Sequence, residues 1–415
     1  MKARSSCALA LLLVLGLAAH ARAQGALPPP TLPYDLVFEA TLLPTERLAR
    51  ARLRMGPNQV DRMVFRIDPE RHKNVRGDGK VEVEGTSATW EPPRTGGSLR
   101  YDFRIDALRG SAYDARISEQ WAIFRGSDLF PPARVMATDG SYSRSRLRLR
   151  LPKRWTAAVP YEKSDDGTWV IENPHRHFDR PTAWMALGRL GVLREKIAGC
   201  RVAVAGPFRQ EFRRHDILAM MRWTLPSLRD VLGELPPRLL VVGAGDPMWR
   251  GGLSGPSSVF VHADRPLIGS DGTSPLLHEL FHAATGARAV VDGDWVVEGL
   301  AELYSMELLV RSRTISKRRY RRVMEKIEKR GAGAPLLGRD SGGDSTARAV
   351  TVLRDLDALL RSRTEEQKTL DDVVAELARK QQAVSTSAFF ATAEQVSGLD
   401  LGSFQRNNVK PILRR

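Results

Sequence analysis

His278-Glu279-Leu280-Phe281-His282 places two imidazoles and one carboxylate within five residues of the chain. On a helix, side chains at positions i and i+4 lie on the same face, so His278 and His282 can bind one metal ion together. Glu279 then lies beside the metal, where it can take a proton from a water molecule that the metal activates. The pattern predicts a zinc-hydrolase site, although the same spacing also occurs on ordinary core helices.

A second helical segment, Trp295–Glu302, brings further carboxylates. Catalytic zinc sites keep three protein ligands and leave one position open. Glu298 is therefore predicted as the third ligand beside His278 and His282, for one Zn²⁺ per chain. Glu302 lies four residues later on the same helix face. It could accept a hydrogen bond from one imidazole and fix its orientation, or form a salt bridge to a nearby arginine.

The residues around both motifs predict helices with one buried face. Ser274 is the expected N-cap and Pro275 the first helical residue of the segment that carries the histidines. Asp294 is the expected cap of the segment that carries Glu298. Apolar side chains recur at helical spacing in both segments, so each helix is expected to pack on a core and present its polar face to the site.

The first 23 residues have the features of a secretory signal peptide (1–23). They combine a positively charged start, the apolar run Ala8–Ala19 and the small-x-small cleavage sequence Ala21-Arg22-Ala23. A membrane anchor is the alternative, but the apolar run is too short to span a bilayer. We expect the mature chain to be periplasmic or secreted, without a transmembrane segment.

The chain is strongly basic, with a formal net charge of +16 that falls to +13 when Lys2, Arg4 and Arg22 leave with the signal. An acidic envelope polymer is a possible partner, whereas no nucleic acid is expected. Only Lys317–Arg322 is densely basic, and a solvated helix face is favoured there over a polyanion-binding patch. Cys200 is the one cysteine after the signal, so no intrachain disulfide can form, and we expect it to be buried.

Residues 34–160 contain short segments of alternating apolar and polar residues, separated by turn signals. This period of two predicts strands. We expect an N-terminal antiparallel β-sandwich domain after a proline-rich linker at 24–33. The predicted strands include Leu36–Ala40, Met63–Ile67, Lys80–Glu84, Leu99–Ile105 and Ser145–Leu151.

After residue 160, strands alternate with longer helical segments, so the expected fold class of the whole chain is α+β. Ser257–His262 is predicted to be an edge strand, in which His262 is either structural or faces the substrate. The other predicted elements are the strands Arg201–Ala205 and Arg238–Val242 and the helices Glu211–Leu232, Ala347–Arg363, Leu370–Gln381 and Ser387–Val396.

The zinc motif and the segments around it resemble those of the gluzincin metallopeptidases, the clan with thermolysin-like catalytic domains. The closest likeness is to the glycyl aminopeptidase family, with the leukotriene-hydrolase-like aminopeptidases more distant. It rests on the histidine pair, on Glu298–Tyr304, on a C-terminal pattern over 356–373, and on Gly251-Gly252-Leu253, where that family has Gly-Gly-Leu-Glu-His. The resemblance covers roughly residues 160–405.

The resemblance implies a thermolysin-like zinc peptidase domain over 161–415, with C-terminal helices and a peptide or protein substrate. Substrate-binding residues would then include Gly251, Gly252, Leu253 and Ser254.

The sequence departs from the family pattern at two places that matter for activity. Ser254-Gly255 stands where the family has Glu-His, so the carboxylate that the resemblance implies for the substrate amino terminus is missing. Thr346 stands where the family has a tyrosine that stabilises the oxyanion, and its hydroxyl is on a much shorter arm. Tyr304 and Tyr320 are further candidates for that role, with packing favoured for Tyr304. Since the sequence runs to Arg415, we expect no PDZ-type module of the kind that this family carries.

We therefore expect an exported zinc-dependent metallopeptidase, aminopeptidase-like, that hydrolyses peptide bonds through water activated by zinc. One alternative is a hydrolase of amide bonds in cell-wall peptide. Another is a degenerate, zinc-stabilised binding protein, for which the missing tyrosine and glutamate argue. Retention of Glu279 argues against it, because a structural zinc site needs no general base and is usually closed by four protein ligands.

Overall fold

The structure is a computed structural model that describes residues 31–171, 176–290, 292–335 and 341–409. The predicted signal peptide and residues 24–30 of the predicted linker lie outside these ranges. None of the helices in the described ranges combines the length and the hydrophobicity that crossing a bilayer requires.

The first part of the chain consists mainly of strands, with one short helix, α1 (Gly126–Leu129). The strands are β1 (Leu32–Leu43), β2 (Leu48–Met55), β3 (Val60–Arg66), β4 (His72–Gly77), β5 (Lys80–Glu84), β6 (Ser87–Glu91), β7 (Gly97–Arg104), β8 (Ala107–Arg109), β9 (Ala112–Ile117), β10 (Trp121–Arg125), β11 (Ala133–Ala137), β12 (Ser141–Arg150), β13 (Thr156–Ala158), β14 (Glu162–Lys163), β15 (Trp169–Val170) and β16 (Trp184–Gly188). All five strands named from the sequence are present: β5 has the predicted ends, and the other four have shifted ends.

These strands pair in a seven-stranded sheet (β14-β15-β12-β1-β2-β7-β4), a four-stranded sheet (β11-β3-β6-β5) and a five-stranded sheet (β13-β16-β10-β9-β8) within the described residues. The prediction of a purely antiparallel domain is wrong in one respect, because β1 pairs in parallel with β12 over Leu32–Thr41. Strands β2 and β12 of the seven-stranded sheet alternate buried and more exposed residues, since successive side chains point to opposite faces. The sandwich arrangement stays a prediction.

The second part alternates strands and helices around one mixed sheet. Its elements are β17 (Leu190–Ile197), β18 (Cys200–Pro207), α2 (Arg214–Leu232), β19 (Arg238–Val242), β20 (Gly252–Gly255), β21 (Ser258–Val261), α3 (Pro275–Thr285), β22 (Arg288–Ala289), α4 (Asp294–Arg311), α5 (Lys317–Gly331), α6 (Asp344–Arg363), α7 (Leu370–Lys380), β23 (Ala383–Val384), α8 (Thr386–Ser397) and α9 (Gly402–Asn408). The mixed helix-and-sheet class predicted from the sequence is confirmed.

The sheet of the second part runs in the order β17-β18-β19-β21-β20. The segment predicted as the edge strand, β21, is therefore one place in from the edge. β20 is the edge strand, and it pairs antiparallel with β21. The sequence did not indicate β20, because its residues Gly252–Gly255 contain two glycines and no apolar alternation.

The two parts share a buried interface on which the position of β20 and β21 depends. Trp184 of β16 lies against Phe260 of β21 with ring centroids 5.2 Å apart, and its backbone N–H donates to the Ser258 hydroxyl at 2.9 Å. Nearby, the Trp249 backbone N–H donates to the Tyr113 carbonyl at 2.8 Å. The domain boundary at residue 160 stays a prediction. Strands β14 to β16 follow that residue in the chain and pair with the N-terminal sheets.

The start of α4 is fixed by a buried hydrogen-bond set. The Trp295 indole N–H donates to the Thr386 hydroxyl at 2.9 Å, and that hydroxyl donates to the Asp292 carbonyl at 2.8 Å. The Thr386 backbone N–H donates to the Asp292 carboxylate at 3.0 Å. Because Trp295 is 1% exposed, its N–H cannot turn to solvent, so this set holds α4 against α8.

We expect Thr386→Val to lower the free energy of unfolding by about 1–3 kcal/mol, because it leaves the buried Trp295 N–H without its acceptor. Urea denaturation measures the change. Thr351→Val is the matched control, since the Thr351 hydroxyl only donates back to the Ala347 carbonyl within α6. Equal stability of the two variants would contradict the assignment.

Candidate metal centre

Packing between α3 and α4 brings the predicted ligands together. α3 begins after Ser274, whose hydroxyl accepts the Leu277 backbone N–H at 3.2 Å, as the sequence predicts. On the buried side, the Phe281 ring stacks on the ring of Tyr304 in α4 with centroids 5.0 Å apart. With the apolar faces of the two helices buried between them, their polar residues meet at the rim of that contact.

The side chains of His278, His282 and Glu298 have the geometry of a three-ligand zinc site. Their ligand atoms all lie within 4.8 Å of one another. The two Nε2 atoms are 3.1 Å apart, and the Glu298 carboxylate oxygens lie 3.2 Å from His278 Nε2 and 3.5 Å from His282 Nε2. Ligands about 2.0–2.1 Å from a tetrahedral zinc ion lie roughly 3.3 Å apart. The residues present therefore fit a zinc ion.

Glu302 orients one of the two imidazoles. Its carboxylate lies 3.1 Å from His278 Nδ1, which leaves Nε2 of the same ring facing Glu298 and His282. Of the two roles left open by the sequence, the geometry favours the hydrogen bond to a histidine over a salt bridge to arginine. A metal-binding histidine commonly donates its other N–H to a carboxylate in this way.

Interactions within the ligand cluster shift the pKa values of His278 and Glu298. Burial disfavours the charged His278 imidazole, but its hydrogen bonds to Glu298 and Glu302 outweigh burial and raise the pKa of His278 to about 10. Burial also opposes ionisation of Glu298, yet its hydrogen bonds with the two histidines hold the pKa of Glu298 well below its usual range. A cation is thus favoured at this point, and a metal ion would have to displace the His278 proton to bind.

The edge strand β20 lies directly beside Glu279. A Cβ atom added at Gly252 would lie 3.1 Å from Glu279 Cγ and 3.7 Å from its Oε1. Gly252 therefore provides the space in which the Glu279 side chain lies. Leu253 points the other way and packs with the interface cluster that contains Phe260, so Gly252 and Ser254 share the face towards α3.

A cavity of about 370 Å³ opens next to the cluster and is lined by His278, Glu298 and Glu302. Thr346, in the first turn of α6, lines it too, and its role in oxyanion stabilisation stays a prediction. Lys326 of α5 also lines the cavity. The remaining lining residues are Asp271, Thr273, Val323, Ile327, Arg330, Ser341, Gly342, Gly343 and Ala347.

Sequence reasoning missed the cations of this cavity. Lys326 and Arg330 lie one turn apart on α5, but their spacing in the sequence does not reveal which neighbour that face meets. Arg330 Nε donates to the Asp344 carboxylate at 2.9 Å, which ties α5 to the start of α6.

The two tyrosines considered for oxyanion stabilisation do not line this cavity. The Tyr304 hydroxyl donates to the Asp371 carboxylate at 2.6 Å, and the Tyr320 hydroxyl donates to the Glu307 carboxylate. Tyr304 follows Glu302 by two positions, which on a helix points it to another side. Both hydroxyls therefore donate to carboxylates outside the cavity. This geometry favours a packing role for Tyr304.

The structure also bears on the sequence predictions for Asp294, His262 and Cys200. Asp294 is not the N-cap of α4: Gly293 holds that position, and the Asp294 carboxylate accepts the Ser341 backbone N–H instead. His262 is 1% exposed, and its Nδ1 accepts the Asp264 backbone N–H at 3.2 Å, which favours its structural interpretation. Burial raises the pKa of the Cys200 thiol to about 11, as expected for a packed cysteine.

No protein-family model matches the chain, and no curated protein matches it in sequence. In structure it is similar to an aminopeptidase N family protein from Idiomarina loihiensis, with a TM-score of 0.69 and 14% identity over 91% of this chain and 76% of that one. It is also similar to a two-domain M1 zinc metallopeptidase bound to L-tryptophan, with a TM-score of 0.59 and 15% identity over 92% and 95% of the two chains. A further similar structure is Legionella pneumophila aminopeptidase A in complex with aspartic acid, with a TM-score of 0.54 and 12% identity over 93% and 50%.

These similarities establish the fold. The chain has the two-domain fold of M1 aminopeptidases, which agrees at a coarse level with the resemblance drawn from the zinc motif. The finer likeness to the glycyl aminopeptidase family and the thermolysin-like details of the catalytic domain stay predictions.

We expect Zn²⁺ added to chelator-treated protein to bind in a one-to-one ratio and to raise its melting temperature, because the folded state presents the ligand set and the unfolded state does not. His282→Ala should abolish the shift. His215→Ala is the matched control, since His215 is an exposed histidine at the start of α2. Retention of the full shift in His282→Ala would refute the ligand assignment.

Proposed function

We propose that the chain is an exported zinc-dependent metallopeptidase that hydrolyses peptide bonds. In this proposal His278, His282 and Glu298 bind one Zn²⁺, Glu302 orients His278, and Glu279 is the general base. The observation that carries it is the convergence of the three ligand side chains beside an open cavity, with Glu279 on the same helix as the two histidines. Four protein ligands would close a structural site, whereas three leave room for chemistry.

The bound metal would polarise the scissile carbonyl and make a water molecule acidic enough to react near neutral pH. Glu279 takes the proton from the attacking water and passes it to the leaving amine, which makes it the acid as well as the base. Gly252 leaves the space that the Glu279 side chain needs, since a Cβ there would lie 3.7 Å from Glu279 Oε1. We assign stabilisation of the oxyanion to the hydroxyl of Thr346, which lines the cavity.

The peptide substrate would lie along β20. This strand is the edge of its sheet in the described part of the chain, and its backbone groups on the outer side can pair with an extended peptide. Ser254 has no charge with which to bind the amino terminus of a substrate. The positions at which peptides are cut must therefore distinguish aminopeptidase from endopeptidase activity. Export rests on the signal-like composition of residues 1–23.

Glu279→Gln tests the hydrolytic mechanism directly. Since the amide cannot take a proton from water, we expect cleavage of a mixed peptide library to fall roughly 10²–10⁴-fold, while the zinc content stays the same. Mass spectrometry of the library measures cleavage and gives the positions of the cuts. Glu325→Gln, on the exposed face of α5, is the matched control and should cleave like the unaltered chain.

The same experiment separates the alternatives. Zinc bound with no Glu279-dependent cleavage of peptides would favour the degenerate binding protein, which the threonine at position 346 also favours. Cleavage restricted to cell-wall peptide fragments would identify the amidase alternative.

Gly252→Ala tests the close approach of β20 to the general base. The added methyl group would press on the Glu279 side chain at 3.1 Å, so we expect kcat to fall at least several-fold with zinc content and melting temperature unchanged. Gly245→Ala is the control, because a Cβ there meets its nearest neighbour at an ordinary 3.5 Å. A kcat for Gly252→Ala equal to that of the control would disprove the proposed role of Gly252.

A further inference from the structure

Arginine is concentrated on one face of the seven-stranded sheet. In β12 every second residue from Arg144 to Arg150 is arginine, and these residues point away from the buried core. The register places arginines of β2, β7 and β4 on the same face. We call this surface the arginine face: Arg50, Arg52, Arg54, Arg76, Arg100, Arg104, Arg144, Arg146, Arg148 and Arg150.

Several of these arginines lie directly opposite one another. Arg52 of β2 pairs in register with Arg100 of β7, and Arg100 pairs with Arg76 of β4. Like charges at directly opposed positions destabilise a sheet. Arg52 and Arg100 also donate to the same acceptor, the Ser98 hydroxyl, at 3.1 Å and 3.4 Å. An outer face selected for stability alone would alternate charges here.

The anionic side chains near this face are fewer than its arginines, so the face keeps a net positive charge. Glu39 is 7% exposed as a side chain and lies within 4.0 Å of Arg54, Arg148 and Arg150. Asp35 pairs with Arg144 at 2.9 Å. Arg50 pairs with Glu46 at 3.5 Å and with Asp102 at 3.8 Å. Asp78 accepts a hydrogen bond from the Ser98 hydroxyl, to which Arg52 and Arg100 donate.

The central arginines surround a cleft of about 310 Å³. Its lining includes five arginines and two acidic residues: Arg50, Arg52, Arg76, Arg100 and Arg150 with Glu39 and Asp102. The Arg52 Nε atom is buried and has no hydrogen-bond partner among the described residues. A buried, unpaired donor of a charged group costs free energy, so the partners within the described residues do not satisfy every donor of this arginine.

We propose that the arginine face binds a linear anionic polysaccharide whose sulfate or carboxylate groups pair with the guanidinium groups. Guanidinium matches the geometry of such oxyanions in two-point hydrogen bonds. Arginines two residues apart along a strand are spaced about 6.6–6.8 Å, and neighbouring strands are about 4.7–4.9 Å apart. The face therefore presents a two-dimensional array of cations to a polymer with repeated charges.

Two other polyanions fit this face less well. Sheet surfaces that bind single-stranded nucleic acid stack the bases on exposed aromatic rings. The outward positions of β2, β4 and β7 carry no aromatic residue, and Tyr142, at one end of β12, is half-buried. Surfaces that insert in membranes present large apolar side chains, and the exposed large hydrophobic residues of the described chain all lie outside this face.

The test uses the full mature chain and a heparin oligosaccharide as the probe, titrated calorimetrically at several salt concentrations. The test variant carries Arg52→Gln, Arg76→Gln and Arg100→Gln. The matched control carries Lys317→Gln, Arg318→Gln and Arg321→Gln in the exposed basic face of α5.

We expect the unaltered chain and the α5 control to bind heparin and dextran sulfate but not neutral dextran. The test variant should bind roughly tenfold more weakly or worse, with its log–log salt slope reduced by about one unit per arginine removed. Its melting temperature should not fall, because the like-charge contacts are relieved, and its peptide cleavage should not change.

Several results would overturn the proposal. They are no binding of heparin by the unaltered chain, equal binding by the test variant, or a larger loss in the α5 control. Tighter binding of single-stranded DNA or of vesicles containing phosphatidylglycerol than of heparin would assign the face to another class of polyanion. Because peptide cleavage is measured in parallel, failure of this proposal is distinguishable from failure of the proposed peptidase activity.

Discussion

The contact between α3 and α4 is the constraint on which the candidate site depends. His278 and His282 share a face through local helix geometry alone, but Glu298 reaches them only because α4 packs along α3. That packing is driven by burial of apolar faces, as the stacked rings of Phe281 and Tyr304 show. A shift of even one ångström along this contact would separate atoms that now lie 3.1–3.5 Å apart.

The rest of the site is assembled from elements that are distant in sequence. β20 is held by β21, and β21 is held in turn by Trp184 of the N-terminal part through Ser258. The start of α4 is held by Thr386 of α8. The N-terminal sheets and the C-terminal helices thus both contribute to the position of groups around Glu279, although neither carries one of the three predicted ligands.

The departures from the gluzincin pattern take on a physical meaning in the structure. Thr346 occupies the cavity wall where a longer hydroxyl-bearing side chain would be expected, while Tyr304 and Tyr320 donate their hydroxyls to carboxylates elsewhere. Lys326 adds a positive charge to the same cavity. The three predicted ligands converge, whereas the positions that the resemblance implies for substrate binding carry different residues.

The sequence by itself determined the features that depend on local periodicity. The spacing of His278 and His282, the Ser274 cap and the alternation in β12 all follow from helix and strand geometry, and all are present in the structure. Only the tertiary structure decided which strand forms the edge, where the tyrosine hydroxyls point, and that arginines from four separate strands share one face. These depend on strand order and helix packing, which join residues far apart in the chain and leave no periodic signal in the sequence.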